Sequence, residues 1–221
     1  MSQPIVVVDK YSMIQKLITL GLEATHPMGY VPVSAYHRAE IDKFLTENME
    51  IKERSEMEKD PTYWQLIPYG VIVDDFSNIV GYRRPDKQRG EERLRGARSV
   101  GFGGHVDAAD TRDIATGDKL SAAVIMSNCL YRELQEELNT GDTPLLPRSH
   151  FTGLLIDNSN AVGEVHLGFV YRVTGMSDIF LPNNADEVSE LTLLEPARTP
   201  RQEFENWSKL VLDNIETILA N

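Results

Sequence analysis

The chain has 221 residues, 41% hydrophobic and 25% charged, a balance that supports a globular core without covalent staples. Its 34 acidic and 22 basic residues give a net charge of −12. That surface repels a nucleic-acid polymer but admits a small phosphorylated ligand bridged by divalent cations. Cys129 is the sole cysteine, so no intrachain disulfide forms, and no apolar run approaches the roughly 20 residues of a membrane span.

Met1–Asp9 lacks the basic start of a signal peptide and carries only a short β-branched run, Ile5–Val8, so a cytoplasmic protein with no membrane partner is expected. Met13, Ile14, Leu17, Ile18 and Leu20 stand at helical spacing and predict a helix over Ser12–Glu23. Pro27, Gly29 and Pro32 mark a loop. Ser34 is placed to cap a second helix from Ala35 to about Lys59, with Ile41, Phe44, Leu45 and Met49 on one face and Pro61 beyond its end. Residues 1–60 therefore read as a helical N-terminal extension, expected to cover a sheet edge or build a homodimer, and residues 61–221 as the main domain.

From Tyr63 the pattern turns to period two. Ile67–Val73 and Ile79–Tyr82 flank the turn-forming Asp74–Asn78 and predict a hairpin. Asp86–Arg98 is a charged connection, and Ser99–Val106 carries Gly101, Gly103 and Gly104 in a strand-like setting. Ser121 to about Leu138 is a helix. Phe151–Asp157 and Val162–Val173 form a second hairpin pattern, the latter alternating Val165, Leu167, Phe169, Tyr171 and Val173 inward. Glu190–Glu195 is a short strand, and Glu203–Leu219 an amphipathic closing helix. Two hairpins, a central helix and a terminal helix predict mixed α and β layers rather than a doubly wound βαβ series. No phosphate-binding P-loop occurs, because the glycine cluster lacks a following Lys-Ser/Thr.

The segment that carries chemistry is Arg132-Glu133-Leu134-Gln135-Glu136-Glu137-Leu138. On a helix, Ala123, Met126, Leu130, Leu134 and Leu138 make an apolar stripe, and Glu133, Glu136 and Glu137 share an arc of about 100° along its edge. Such acids repel one another by a few tenths of a kcal/mol per pair, and they sit where the helix dipole disfavours negative charge by roughly 0.3–1 kcal/mol each. No lysine is interleaved, and Arg132 points away from the stripe. Two readings stand level on these residues alone: a solvated acidic face, or hard oxygen ligands for Mg²⁺ or Mn²⁺.

Gly103-Gly104-His105-Val106-Asp107 followed by Arg132-Glu133-Leu134-Gln135-Glu136-Glu137-Leu138 resembles the box of the Nudix hydrolases. In that box a glycine, five residues on, precedes a glutamate, and an Arg-Glu-aliphatic-any-Glu-Glu run follows. The resemblance extends from about Trp64 to the C-terminus and implies an α/β/α sandwich with a mixed sheet. It also implies an Mg²⁺ site (with Mn²⁺ as substitute) held by Glu133, Glu136, Glu137 and the carbonyl of Gly103. Glu133 and Glu136 carry catalysis in that reading, or a later acid such as Glu187 or Glu190 helps to activate water. The reaction implied is hydrolysis of a phosphoanhydride in a small nucleoside-diphosphate-linked substrate. This sequence departs from the pattern in three places. Twenty-eight positions separate Gly104 from Arg132 where the pattern has fourteen, so an insertion lies inside the box. The first glutamate has no clear equivalent: Asp110 stands six residues after Gly104, and Val124 stands eight before Arg132. Asn139 replaces the closing glycine, a substitution that keeps a left-handed helix cap at modest cost.

Other residues have plainer readings. Cys129 fits a buried, inert thiol. His105 and His166 fit structural imidazoles, Arg83 and Arg84 a solvated hairpin end, and Phe204 and Trp207 core anchors. Tyr63 and Trp64 suit either a cleft or a subunit contact. Three rival functions follow: a catalytically silent nucleotide sensor, suggested by the missing glutamate; an isoprenoid diphosphate isomerase, for which Cys129 is badly placed; and a scaffold with an acidic helix and no metal affinity.

Overall fold

A computed structural model describes residues 3–22, 28–84, 96–112, 120–138, 148–175 and 188–220. In chain order these form β1 (Pro4–Asp9), α1 (Lys10–Thr19), β2 (Met28–Pro32), α2 (Ala35–Asn48), β3 (Glu50–Glu53), α3 (Arg54–Met57), β4 (Tyr63–Ile72), β5 (Ile79–Arg83) and β6 (Arg98–Ser99). They continue with α4 (Ala122–Glu137), β7 (Arg148–Asp157), α5 (Ala161–Glu164), β8 (His166–Thr174), β9 (Ser189–Leu194), α6 (Asn206–Asp213) and α7 (Ile215–Ala220). Among the described residues, six strands share one mixed sheet in the order β2-β7-β8-β4-β1-β3, and β6-β5-β9 make a smaller one. Strand β4 runs parallel to β8, Gln65 beside His166 and Ile72 beside Val173, and the other pairings are antiparallel.

Period-two burial puts a helical layer on each face of the large sheet. Trp64, Leu66, Leu167, Phe169, Tyr171 and Val173 pack with Met13 and Leu17 of α1, Ile41 and Leu45 of α2, and Ile125, Met126, Leu130 and Leu134 of α4. On the opposite face Tyr69, Val71 and Val170 meet Val211 and Leu212 of α6, while Ile5 and Val7 meet Met57 of α3 as a separate cluster. This is the α/β/α sandwich with a mixed sheet that the box implied. No helix among the described residues is long and apolar enough to cross a membrane.

The first 60 residues hold more than helices: β1 and β3 extend one side of the main sheet, and β2 forms its other edge. The helix expected from Ala35 to about Lys59 stops at Asn48, because antiparallel strand pairing takes over: Glu50, Ile51, Lys52 and Glu53 pair with Val7, Val6, Ile5 and Pro4. Helical spacing cannot foresee this, since a tertiary partner outweighs local propensity. The first hairpin is likewise divided, with β4 in the large sheet and β5 in the small one, joined by a Val73–Ile79 bridge. The closing helix breaks at Asn214, whose side chain donates back to the carbonyl of Leu210 at 2.9 Å and competes with the backbone ladder.

The two helices nearest the acidic segment are coupled at one end. Three backbone N–H groups at the start of α4 lack intrahelical acceptors. Ala122 donates to Thr46 Oγ1 at 2.8 Å, Ala123 to Asp42 Oδ1 at 2.6 Å and Val124 to Ser121 Oγ at 3.5 Å, so α2 supplies two of the caps from outside the helix. Asp42→Ala and Thr46→Ala are each expected to lower stability by about 0.5–2 kcal/mol, the usual loss for a removed cap, in urea denaturation.

Candidate active site at the acidic helix

The loop before the insertion reaches α4 because two of its residues lack a side chain. Gly103 has φ +150°, and a Cβ there would overlap the carbonyl oxygen of Pro68. A Cβ on Gly104 would lie 2.5 Å from Glu133 Oε1. Val106 then anchors the loop, accepting from Val6 N–H at 2.8 Å and donating to the carbonyl of Leu66 at 3.3 Å. The glycine pair thus lies directly against the first acid of the Arg-Glu-Leu-Gln-Glu-Glu run.

Arg132 ties these parts together. It does not point away as its helical angle suggested. Its Nη1 donates to Glu133 Oε1 at 2.7 Å, its Nη2 to the carbonyl of His105 at 3.1 Å, and its Nε and Nη2 to the two oxygens of Asp110 at 3.3 and 3.0 Å. Asp107 and Glu136 each lie 3.6 Å from the same guanidinium. Asp110 sits in a single 3₁₀ turn, Ala108–Thr111, where it also accepts from the N–H of Asp107 at 2.9 Å. The residue that fixes the box arginine is therefore Asp110, six positions after Gly104. Its spacing was visible in the sequence, but an aspartate in place of glutamate concealed it. The shorter side chain reaches because the turn brings its backbone close.

The three glutamates differ in setting. Glu133 is 14% exposed, Glu136 is 56% exposed, and Glu137 is buried at the end of α4. Glu137 bears on Arg84, whose guanidinium pairs with Glu205 at 3.3 Å. Burial pulls the Arg84 pKa down, but Glu205, Tyr82 and Glu137 together outweigh it and raise the value. Glu205 in turn accepts from Ser99 Oγ at 2.7 Å and from Tyr69 OH at 3.1 Å. Arg84 is thus a half-buried structural cation and not a solvated hairpin end, whereas Arg83 stays near the surface beside Glu190 at 3.0 Å. Glu190 is occupied there, and Glu187 and Asn139 lie outside the described residues.

The remaining candidates take structural places. Cys129 is buried, with Sγ 3.3 Å from the carbonyl of His105, and burial followed by the charges of Glu133 and Asp110 pushes its thiol up, away from thiolate chemistry. Trp207 meets Tyr69 edge-on at 5.5 Å between ring centroids, and Phe204 is buried in the same cluster. Trp64 is a core residue under Lys10, and Tyr63 packs beside Ile5, Val7 and Met57.

Whether these residues suit a divalent ion is a matter of donor type and charge. Asp107, Asp110, Glu133 and Glu136 surround one guanidinium, which leaves a surplus of negative charge on hard oxygens. The same crowding shows at Asp107, where burial first, and Asp110 and Glu136 with it, raise the pKa against the pull of Arg132. Among the described residues no three His, Cys, Asp or Glu side chains converge into a closed cage. An Mg²⁺ ion at this helix would take the rest of its shell from water and substrate phosphate oxygens.

Asp110→Asn keeps the volume and removes the charge facing Arg132. It is expected to cost about 1–3 kcal/mol of stability, a buried ion-pair loss discounted for the partial exposure of Arg132, as read by urea denaturation.

No protein-family model matches the chain. It is 36% identical over 174 residues to protein YmaB of Bacillus subtilis (strain 168), covering 74% of this chain and 76% of that protein. Tm1382, a candidate Nudix hydrolase of known crystal structure, superposes with a TM-score of 0.73 at 23% identity, covering 99% of this chain and 100% of its own. A Nudix hydrolase from Alicyclobacillus acidocaldarius reaches 0.48 at 15% identity, over 69% of this chain and 90% of its own. The chain belongs to the same family as YmaB, and its fold is that of the Nudix hydrolases.

Proposed function

We propose that this protein is an Mg²⁺-dependent hydrolase, with Mn²⁺ as substitute, that cleaves a phosphoanhydride bond in a small nucleoside-diphosphate-linked or related substrate. The observation that carries the reading is the clamp of Arg132 between Asp110 and Glu133, which sets the acidic run of α4 against Gly104. A diphosphate resists hydrolysis because its own negative charge repels the nucleophile. A bound divalent ion supplies charge neutralisation and lowers the pKa of water. Glu133, Glu136, Glu137 and the carbonyl of Gly103 would hold it, each a hard oxygen donor.

The chain's own part is placement. Arg132 restricts Glu133, which faces the glycine loop, to one orientation, and a restricted carboxylate can accept a proton from water at a defined point. Glu136, more than half exposed, is free to turn toward an incoming substrate. The absent first glutamate, which motivated a silent sensor, is answered by Asp110. The substrate is a small molecule and no nucleic-acid polymer, in keeping with a net charge of −12. A cytoplasmic setting suits the unpaired Cys129, and self-association through residues 1–60 suits the exposed Tyr11, Ile18 and Tyr36.

Phosphate release from a panel of nucleotide sugars, dinucleotides and nucleoside triphosphates, with and without Mg²⁺, tests the reading. Metal-dependent release from at least one diphosphate is the expected result; inertness across the panel with retained ligand binding would make the protein a sensor. Glu136→Gln and Glu137→Gln should each lower metal-stimulated turnover at least about 100-fold with the fold intact by circular dichroism, and near-normal rates would refute the assignment. Sedimentation at micromolar concentration should give a dimer mass, and a monomer mass would remove the proposed self-association.

A further inference from the structure

Between α2, the first turns of α4 and strands β7 and β8 lies a cavity of about 140 Å³, bordered by the exposed Ala123 and Ser149. Its floor is apolar. Ile41 and Met126 are buried there, and Phe151 sets its ring 5.5 Å from both Phe169 and Tyr171, centroid to centroid. Three polar groups open on that floor. Arg38 and Asp42 stand one turn apart on α2 and both line the cavity, yet no ion pair joins them among the described residues. Arg38 spends Nη1 on the carbonyls of Val33 and Phe151, and Asp42 spends Oδ1 on the N–H of Ala123. Arg38 Nη2 and Asp42 Oδ2 make no hydrogen bond among the described residues. Tyr171 is 6% exposed; its hydroxyl is likewise without a hydrogen bond among the described residues, and it is not sealed in the core. Burial first, and the charge of Asp42 next, push the Tyr171 pKa up and keep that hydroxyl protonated.

We infer that this cavity binds a single aminated nitrogen heterocycle of the cytosine type. Size selects one ring: a cavity of about 150 Å³ accepts benzene, and the two fused rings of a purine exceed it. The aromatic wall suits a planar ligand, offset from or edge-on to Phe151. Polarity selects the edge. Asp42 offers an acceptor and Arg38, one turn away, a donor, which is the complement of an exocyclic amine beside a ring acceptor. Cytosine presents that pair as its N4 amine and N3, whereas uracil turns a carbonyl oxygen toward the Asp42 carboxylate. The Tyr171 hydroxyl then donates to the ring carbonyl that remains. A few placed polar groups on an apolar lining is the usual make-up of a small-molecule site. Along α4, Ala123 and Glu133 are about 15 Å apart at 1.5 Å per residue. The cavity is therefore separate from the acidic end of the helix, and the inference does not rest on the hydrolysis proposed there.

The test is an NMR titration of the full-length, metal-free protein with cytosine and with uracil, followed at the backbone amides of Ala122, Ala123 and Met126. Because Asp42 Oδ1 caps α4, a ring held by Oδ2 is felt at those amides. Cytosine should move them with a Kd on the order of millimolar, as expected for a one-ring ligand. Uracil should bind at least about 5-fold more weakly, since it leaves the Asp42 acceptor unmet. This comparison needs no variant to fold. Asp42→Asn keeps an oxygen for the cap and places an amide donor where the carboxylate oxygen stood, so it should reverse the order and prefer uracil, a result that loss of folding cannot give. Tyr171→Phe should weaken cytosine binding roughly 2–10-fold. A Glu133→Gln/Glu136→Gln double variant should bind cytosine like wild type. Unmoved amides in the wild-type protein, an equal response to the two bases, a cytosine preference kept by Asp42→Asn, or unchanged affinity in Tyr171→Phe would overturn the inference. Loss of binding in the double glutamate variant would do so too, by assigning the base to the acidic end of α4.

Discussion

One guanidinium organises the candidate site. Arg132 bonds Glu133 on its own helix, Asp110 in the 3₁₀ turn and the carbonyl of His105 in the glycine loop, and so joins three segments that sequence separates. Its planar fork is what allows this, since two donors can address one carboxylate while a third reaches another group. Burial pulls its pKa down, but the hydrogen bond to Asp110 and the charge of Glu133 outweigh that and hold it raised, so the clamp stays charged. A lysine at this position would offer a point charge and no such geometry.

That clamp requires α4 to be rigid at both ends. Its C-terminal half is pressed to the sheet by Leu130 and Leu134, and its N-terminus is capped by Asp42 and Thr46 from α2. The first 60 residues therefore take part in positioning the acids, in addition to extending the sheet through β1, β2 and β3. Within the insertion between Gly104 and Arg132, the turn at Ala108–Thr111 brings Asp110 back to the arginine.

The charge balance gives the site its direction. In isolation the acids of α4 repel one another, and Arg132 relieves only part of that repulsion, because Asp107 and Asp110 are drawn to the same guanidinium. The remaining negative charge on hard oxygens is what the proposed divalent-ion site rests on. Glu137 stands in a different balance, between the end of α4 and the Arg84–Glu205 pair, so its burial is met by protein charge on the far side.

The sequence by itself determined the parts whose signal is local. The apolar stripe and the Ser121 cap define α4, period-two runs define β4, β7 and β8, and the Arg-Glu-Leu-Gln-Glu-Glu run marks the candidate site. Tertiary structure alone decided what depends on partners distant along the chain. Helical spacing did not reveal that Glu50–Glu53 would leave its helix to pair with β1, that Arg132 would turn back to Asp110, or that Arg84 would be enclosed by Glu205. The reason is physical: periodicity records which face of an element is buried, whereas a charged or edge residue is placed by whichever complementary group the fold brings within a few ångströms.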